Sequence, residues 1–284
     1  MNINFTDIAV NLTSSAFDDD RDEVVARAKS AGVNFLVIPG SSLDDSEKSI
    51  SLAQNYEGCF ATAGVHPHNA KGWDGEASSQ RLLKLAVPEA GILACNKVVA
   101  IGECGLDYNR DFSPRDAQRK CFEDQLSIAA RIGKPVFMHE REAFDDFLPI
   151  LKKYRTDLPG AVVHCFTGGE RELHAYLDLD CHIGITGWVC DERRGRHLLP
   201  LLARIPANRL MLETDAPYLV PRTIPKSIRG KTGRSSGRNE PSFLPHIAEF
   251  VAGILGKSLD QLAMETSENA TRFFGVTPDY PQSV

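Results

Sequence analysis

The chain has 284 residues, 32 Lys+Arg against 38 Asp+Glu, and a formal net charge of −6. A hydrophobic content of 42% with 25% charged residues excludes a disordered or collagen-like chain, and the length suits one large α/β domain or two smaller ones. No apolar run approaches the roughly 18 residues of a membrane span, and the acidic balance argues against holding nucleic acid by a global basic surface.

The first residues, Met1 to Asp7, show neither a basic nor an apolar signal region, so a cytoplasmic location is expected. From there the chain alternates short apolar, β-branched runs with amphipathic stretches. Asn4–Val10 reads as a strand, followed by a helix over Asp18–Ala31 that stops at Gly32. Val33–Ile38 is the second strand; Ser42 is an N-cap candidate for a helix over Leu43–Tyr56. Cys59–Gly64 and Val98–Glu103 follow as strands three and four. A helix over Pro114–Ile132 has Ser113 as N-cap and Gly133 as stop. Pro135–His139, Ala161–Cys165, His182–Thr186 and Arg209–Glu213 complete eight strands. Eight strand–helix alternations predict an α/β fold, a TIM-like (β/α)₈ barrel forming a single domain over residues 1–284. The competing layout is a doubly wound open sheet. After the eighth strand, Arg222–Arg238 holds six Lys/Arg and no acid, and reads as a long exposed basic loop. The remainder of the chain therefore carries −12.

The seven cysteines, Cys59, Cys95, Cys104, Cys121, Cys165, Cys181 and Cys190, are never closer than nine positions, which excludes a CxxC motif and a disulfide framework. Most read as reduced core thiols. The histidines and acids are better placed for chemistry. His66 and His68 follow strand three, Glu103 closes strand four, His139 closes strand five, His164 ends strand six and Asp215 lies past strand eight. A parallel barrel gathers these ends at one face. Their oxygen and nitrogen atoms suit Mg²⁺, Mn²⁺ or Zn²⁺. Each residue alone is more simply a hydrogen-bonded structural group; the recurrence at four strand ends carries the metal reading. Thr167, just after His164, offers a hydroxyl to a phosphate. His174, His182, His197 and His246 carry no assigned chemistry. Cys165 beside His164 is not read as a Cys–His pair, because neighbours on a strand point to opposite faces.

The segments Asp7–Ser14, Ala63–His68, Ile101–Asp107, Pro135–His139, His164–Gly168, Gly184–Trp188, Leu212–Leu219 and Arg238–Pro241 together resemble the TatD family of metal-dependent deoxyribonucleases, nearly end to end. The resemblance implies an amidohydrolase-like barrel that hydrolyses phosphodiester bonds, acting as a 3′–5′ exonuclease chiefly on single-stranded DNA and sometimes on RNA. It implies Glu103, His139 and His164 as metal ligands, Mg²⁺ being the first ion expected, and Asp215 as ligand or general base. By the same resemblance His66 contacts the water or phosphate, and Arg238 supports the substrate pocket. Arg222, with the rest of the basic loop, is expected to grip phosphates, and a monomer is expected. Many members carry two histidines where this chain has Ala9 and Asn11; a first metal position is thereby weakened. Glu140 stands where relatives often have Cys, with its side chain expected to point away from His139. Two other readings stay open: a related barrel hydrolase acting on an ester or amide such as D-aminoacyl-tRNA, and a non-catalytic nucleic-acid binder.

Overall fold

A computed structural model of the chain describes residues 3–87, 97–229 and 237–276. Eight strands run in sequence order in one sheet: β1 (Phe5–Asp7), β2 (Val33–Ile38), β3 (Cys59–Ala63), β4 (Val98–Asp107), β5 (Val136–Arg141), β6 (Ala161–Val163), β7 (His182–Ile185) and β8 (Leu210–Leu212). All pairings are parallel. The sheet closes between its ends: Ile8 N donates to Leu212 O (3.3 Å), Asp215 N to Ala9 O (2.9 Å), and Val10 bridges Ala216. The closed barrel, not the open sheet, is therefore the fold.

The helices are α1 (Arg21–Ser30), α2 (Leu43–Asn55), α3 (Glu76–Ala86), α4 (Arg115–Ile132), α5 (Phe144–Tyr154), α6 (Glu170–Asp178), α7 (Leu199–Leu202), α8 (Lys226–Arg229), α9 (Leu244–Leu255) and α10 (Leu259–Phe274). Strand alternation sorts the core. Phe35, Val37, Phe137, Val162 and Met211 pack inside the barrel, whereas Leu36, Ile38, Val136, Met138, Ala161 and Val163 pack in the layer shared with the helices. Two residues beyond Phe137 and Val162 on the same face come His139 and His164. The period of two thus carries both histidines inward, above the apolar plug.

Several predicted details change. Ser42 does cap α2, accepting from Asp45 N (3.1 Å). Ser113 does not cap α4: Pro114 holds the cap position, and the Ser113 hydroxyl instead accepts from Lys71 N and donates to His68 O. Glu103 and His139 lie within β4 and β5, which run on to Asp107 and Arg141. The segment from 222 to 238 is not uniformly an exposed loop, since α8 forms one turn within it and the Arg238 side chain is largely buried. Lys231, Arg234 and Cys95 lie outside the described residues. Of the six described cysteines, five are buried and Cys165 is half-buried; none forms a disulfide.

Candidate metal centre

The inward histidines meet one carboxylate. Glu103 Oε1 lies 2.7 Å from His164 Nε2, 3.1 Å from His139 Nδ1 and 3.2 Å from His66 Nε2. Local sequence explains the convergence. Gly102 (φ 141°) and Gly105 (φ 146°) sit where a Cβ would collide with the Phe137 and His139 carbonyls, so only glycine lets β4 pass so close to β5. The β4 register shifts between Ile101 and Cys104, which re-aims Glu103 into the mouth. Gln125 of α4 clamps the turn before His66, accepting from Val65 N (2.8 Å) and donating to Val65 O (3.0 Å).

A further tier of acids surrounds this group. Asp107 contacts His68 Nε2 (2.7 Å) and lies 3.4 Å from His139 Nε2. It accepts from the backbone N–H of Asn109 and Arg110, while its own N–H donates to the fully buried Gln118. Glu213, with no exposed surface, accepts from Cys165 N and lies 3.4 Å from His164 Nδ1. Asp215 accepts from Asn11 Nδ2 at 2.9 Å. The Asn11 amide also reaches Ala216 O, so Asn11 anchors the aspartate turn. Ala9 is buried in the interior cluster.

Burial and neighbours set the charges. Burial alone would raise Glu103, but His164, His66 and His139 outweigh it and hold its carboxyl well below the ordinary range. His164 moves the opposite way: burial opposes its proton, and Glu103 with Glu213 more than restores it. His139 is raised by Asp107 and Glu103 against the same burial penalty. His66 is pushed down to about 4, mainly by burial. Asp215 is pushed up to about 7 by burial, then by Glu103 and Glu213, with His164 opposing.

The residues fit a divalent cation. Ligand atoms of His66, Glu103 and His139 all lie within 4.8 Å of one another. Buried polar atoms here, His139 Nε2, His164 Nδ1 and Glu213 Oε2, lack a hydrogen-bond partner within the chain. Three imidazole nitrogens and a carboxylate oxygen turned on one another hydrogen-bond as they stand, His164 Nε2 lying 2.7 Å from Glu103, and are of the atom types that coordinate a divalent ion.

His66, Glu103, Asp107, His139, His164 and Asp215 line a cavity of about 1060 Å³ that also takes in Asn11, Thr167, Cys165, Arg110, Arg141 and Arg194. Of the sequence-derived residues it brings together Glu103, His66, His139, His164, Asp215 and Thr167. His66 joins Glu103 and His139 in a group whose ligand atoms are all within 4.8 Å of one another, while His164 makes the shortest contact with Glu103, 2.7 Å. The cavity does not include Arg222 or Arg238. Arg222 pairs with Glu192 (2.8 Å) and Arg238 with Asp20 (2.6 Å). Glu140 turns to the backbone N–H of Ala143 and the Tyr176 hydroxyl, at the cavity edge. Alternation does not separate Cys165 from His164, because β6 ends at Val163 and Cys165 has a φ of 47°. Its thiol is nevertheless pushed well up by burial and the nearby acids, which disfavours the thiolate that a nucleophile needs. The sequence reading leaves out Asp107 and Glu213. Glu213 closes the predicted eighth strand as Glu103 closes the fourth, and so carries the same signal; Asp107 lies past the predicted end of strand four and becomes visible only because β4 runs on to it.

The sequence model of TatD related DNases matches residues 6–275. A 3′–5′ ssDNA/RNA exonuclease TatD of Citrobacter rodentium is 50% identical over 272 residues, covering 95% of this chain and 98% of that protein. The Klebsiella pneumoniae protein of the same description is 48% identical over 270 residues, covering 95% and 97%. Among solved structures, a TatD homologue of Escherichia coli has a TM-score of 0.85 at 26% identity, covering 98% of this chain and 100% of that one. An E. coli phosphotriesterase homology protein has the same fold, with a TM-score of 0.66 at 16% identity over 96% of this chain and 99% of that one.

Proposed function

The chain belongs to the family of TatD related DNases, and from that premise we propose that it is a divalent-metal-dependent 3′–5′ exonuclease of single-stranded DNA and RNA. The observation that carries this reading is the meeting of three histidines on Glu103 at the floor of one cavity, with Asp215 beside them. Glu103, His139 and His164 are the principal ligands in this reading, and His66 completes the ring or positions the water. When bound, the ion supplies Lewis-acid polarisation of the phosphate and a lowered pKa for water. The chain does the rest. Asp215, anchored by Asn11, takes the water's proton through its carboxylate. Glu213 and Asp107 stand 3.4 Å from the outer nitrogens of His164 and His139, where each carboxylate favours the orientation that turns the other ring nitrogen toward Glu103. Thr167 at the cavity wall offers its hydroxyl to the scissile phosphate. Arg110 and Arg141 present cations to the strand.

Mg²⁺ is the first ion to test, but the donor set is richer in imidazole than Mg²⁺ usually takes. The assay therefore follows 3′-labelled single strands with Mg²⁺, Mn²⁺ and Zn²⁺ in parallel. Glu103→Ala and His164→Ala are expected to abolish release of mononucleotides; cleavage by both at the wild-type rate contradicts the assignment. Release of an amine or free amino acid instead would point to the acyl-hydrolase reading. The protein is further proposed to act in the cytoplasm as a monomer with one catalytic domain. No helix among the described residues is long and apolar enough to cross a membrane.

A further inference from the structure

Six large hydrophobic side chains are exposed among the described residues, and the two aromatic ones, Phe112 (57%) and Tyr218 (59%), both line the cavity that holds Glu103. They reach it from different loops, after β4 and after β8. Water-exposed rings gathered at one mouth mark a contact surface, since scattered apolar exposure would not favour that place. Both are tied to the centre. The Phe112 ring lies 4.7 Å from that of His68, which lies 4.2 Å from His66. Tyr218 N donates to Asp215 O (3.0 Å), fixing the tyrosine to the turn that carries the aspartate. Between these loops, Trp188 after β7 sits under two guanidinium groups, Arg194 at 4.3 Å and Arg141 at 5.8 Å. The rim therefore offers open π faces at two points and cations at a third.

We propose that Phe112 and Tyr218 form a base-stacking subsite for the unpaired nucleotides at the end of the strand, an inference that rests on the nuclease reading above. Aromatic faces accept any base, because every base has a π face, while cations take the intervening phosphates. In a duplex those faces are covered by neighbouring bases, so this rim selects single strands by availability of the base rather than by sequence.

The test compares wild type, Phe112→Ala, Tyr218→Ala and Tyr218→Phe on 3′-labelled single strands, intact or abasic at the last two positions, at saturating metal. Each alanine variant is expected to raise KM about tenfold with kcat unchanged, the size of one lost stacked base. Tyr218→Phe keeps the ring and the wild-type KM. The abasic strand raises KM most for wild type and Tyr218→Phe, and by about one stacked base less for each alanine variant, which has a single ring left to lose. Wild-type KM in both alanine variants, or an abasic penalty in them as large as in wild type, overturns the subsite while leaving the nuclease reading intact. A wild-type protein that cleaves no strand with any of the three ions overturns both.

Discussion

The barrel mouth and the segment after β8 hold the charges that matter, and they use them differently. In the mouth, Glu103 faces three histidines, several buried polar atoms lack partners, and Arg110 and Arg141 have no ion pair among the described residues. In the segment from 222 to 238 the described arginines include two that already pair with carboxylates of the chain, Arg222 with Glu192 at the surface and the largely buried Arg238 with Asp20. A run of like charge in sequence is therefore a weaker pointer to a ligand than a few groups whose partners are missing. The acidic total of −6 does not preclude a strand-binding site, because screening confines a surface charge to about 8 Å at physiological salt.

The comparison can be broken most forcefully at Glu103. Glu103→Ala should lower the exonuclease rate on the order of 10³-fold or more, as loss of a central electrostatic element does, and calorimetry should show weakened divalent-ion binding. Next come the acids behind the histidines. Asp107→Asn and Glu213→Gln should each cost about 10- to 100-fold in metal affinity or activity, read by titrating the ion against rate. A smaller effect separates the two sets of arginines. Arg141→Ala and Arg110→Ala should raise KM and each flatten the log–log salt dependence by about 0.7, the share of one phosphate contact on a single strand. Arg222→Ala should change neither. An equal response from Arg222→Ala would erase the distinction between mouth and segment.

Arg238 gives the smallest expected activity change and a stability signature instead. Its guanidinium, with Arg27, lowers the Asp20 carboxyl from 3.8 to about 2. A depressed carboxylate stabilises the fold above its unfolded value and loses that contribution as pH falls through the folded one. The window is therefore from about pH 4 down to about 2. Asp20→Asn should lower thermal stability at pH 7 and converge with wild type near pH 2, with KM for the strand unchanged. A variant that tracks wild type at pH 7 would show that the pair is not a structural anchor.

Much of this architecture is legible in the sequence because it rests on local rules. The β-branched runs and their glycine and serine boundaries give eight strands, and the parallel barrel then forces Glu103, His139, His164 and Asp215 to one end. The remainder depends on contacts that no spacing encodes. That Asn11 holds Asp215 across 204 positions, or that Arg238 finds Asp20, follows only from barrel closure. The Ser113 cap fails because the hydroxyl meets the His66–His68 turn instead, a tertiary competitor invisible to helix-capping rules. The place of His66 beside Glu103 and His139 likewise reflects the turn that Gln125 clamps, not a strand period.

Anomalous diffraction from a Mn²⁺-soaked crystal tests the metal centre most directly. The expected result is a strong peak within coordination distance of Glu103 and at least two of His66, His139 and His164, lost in Glu103→Ala. A cavity with no peak at saturating Mn²⁺, or a peak on other residues in a protein that still cleaves single strands, would contradict it.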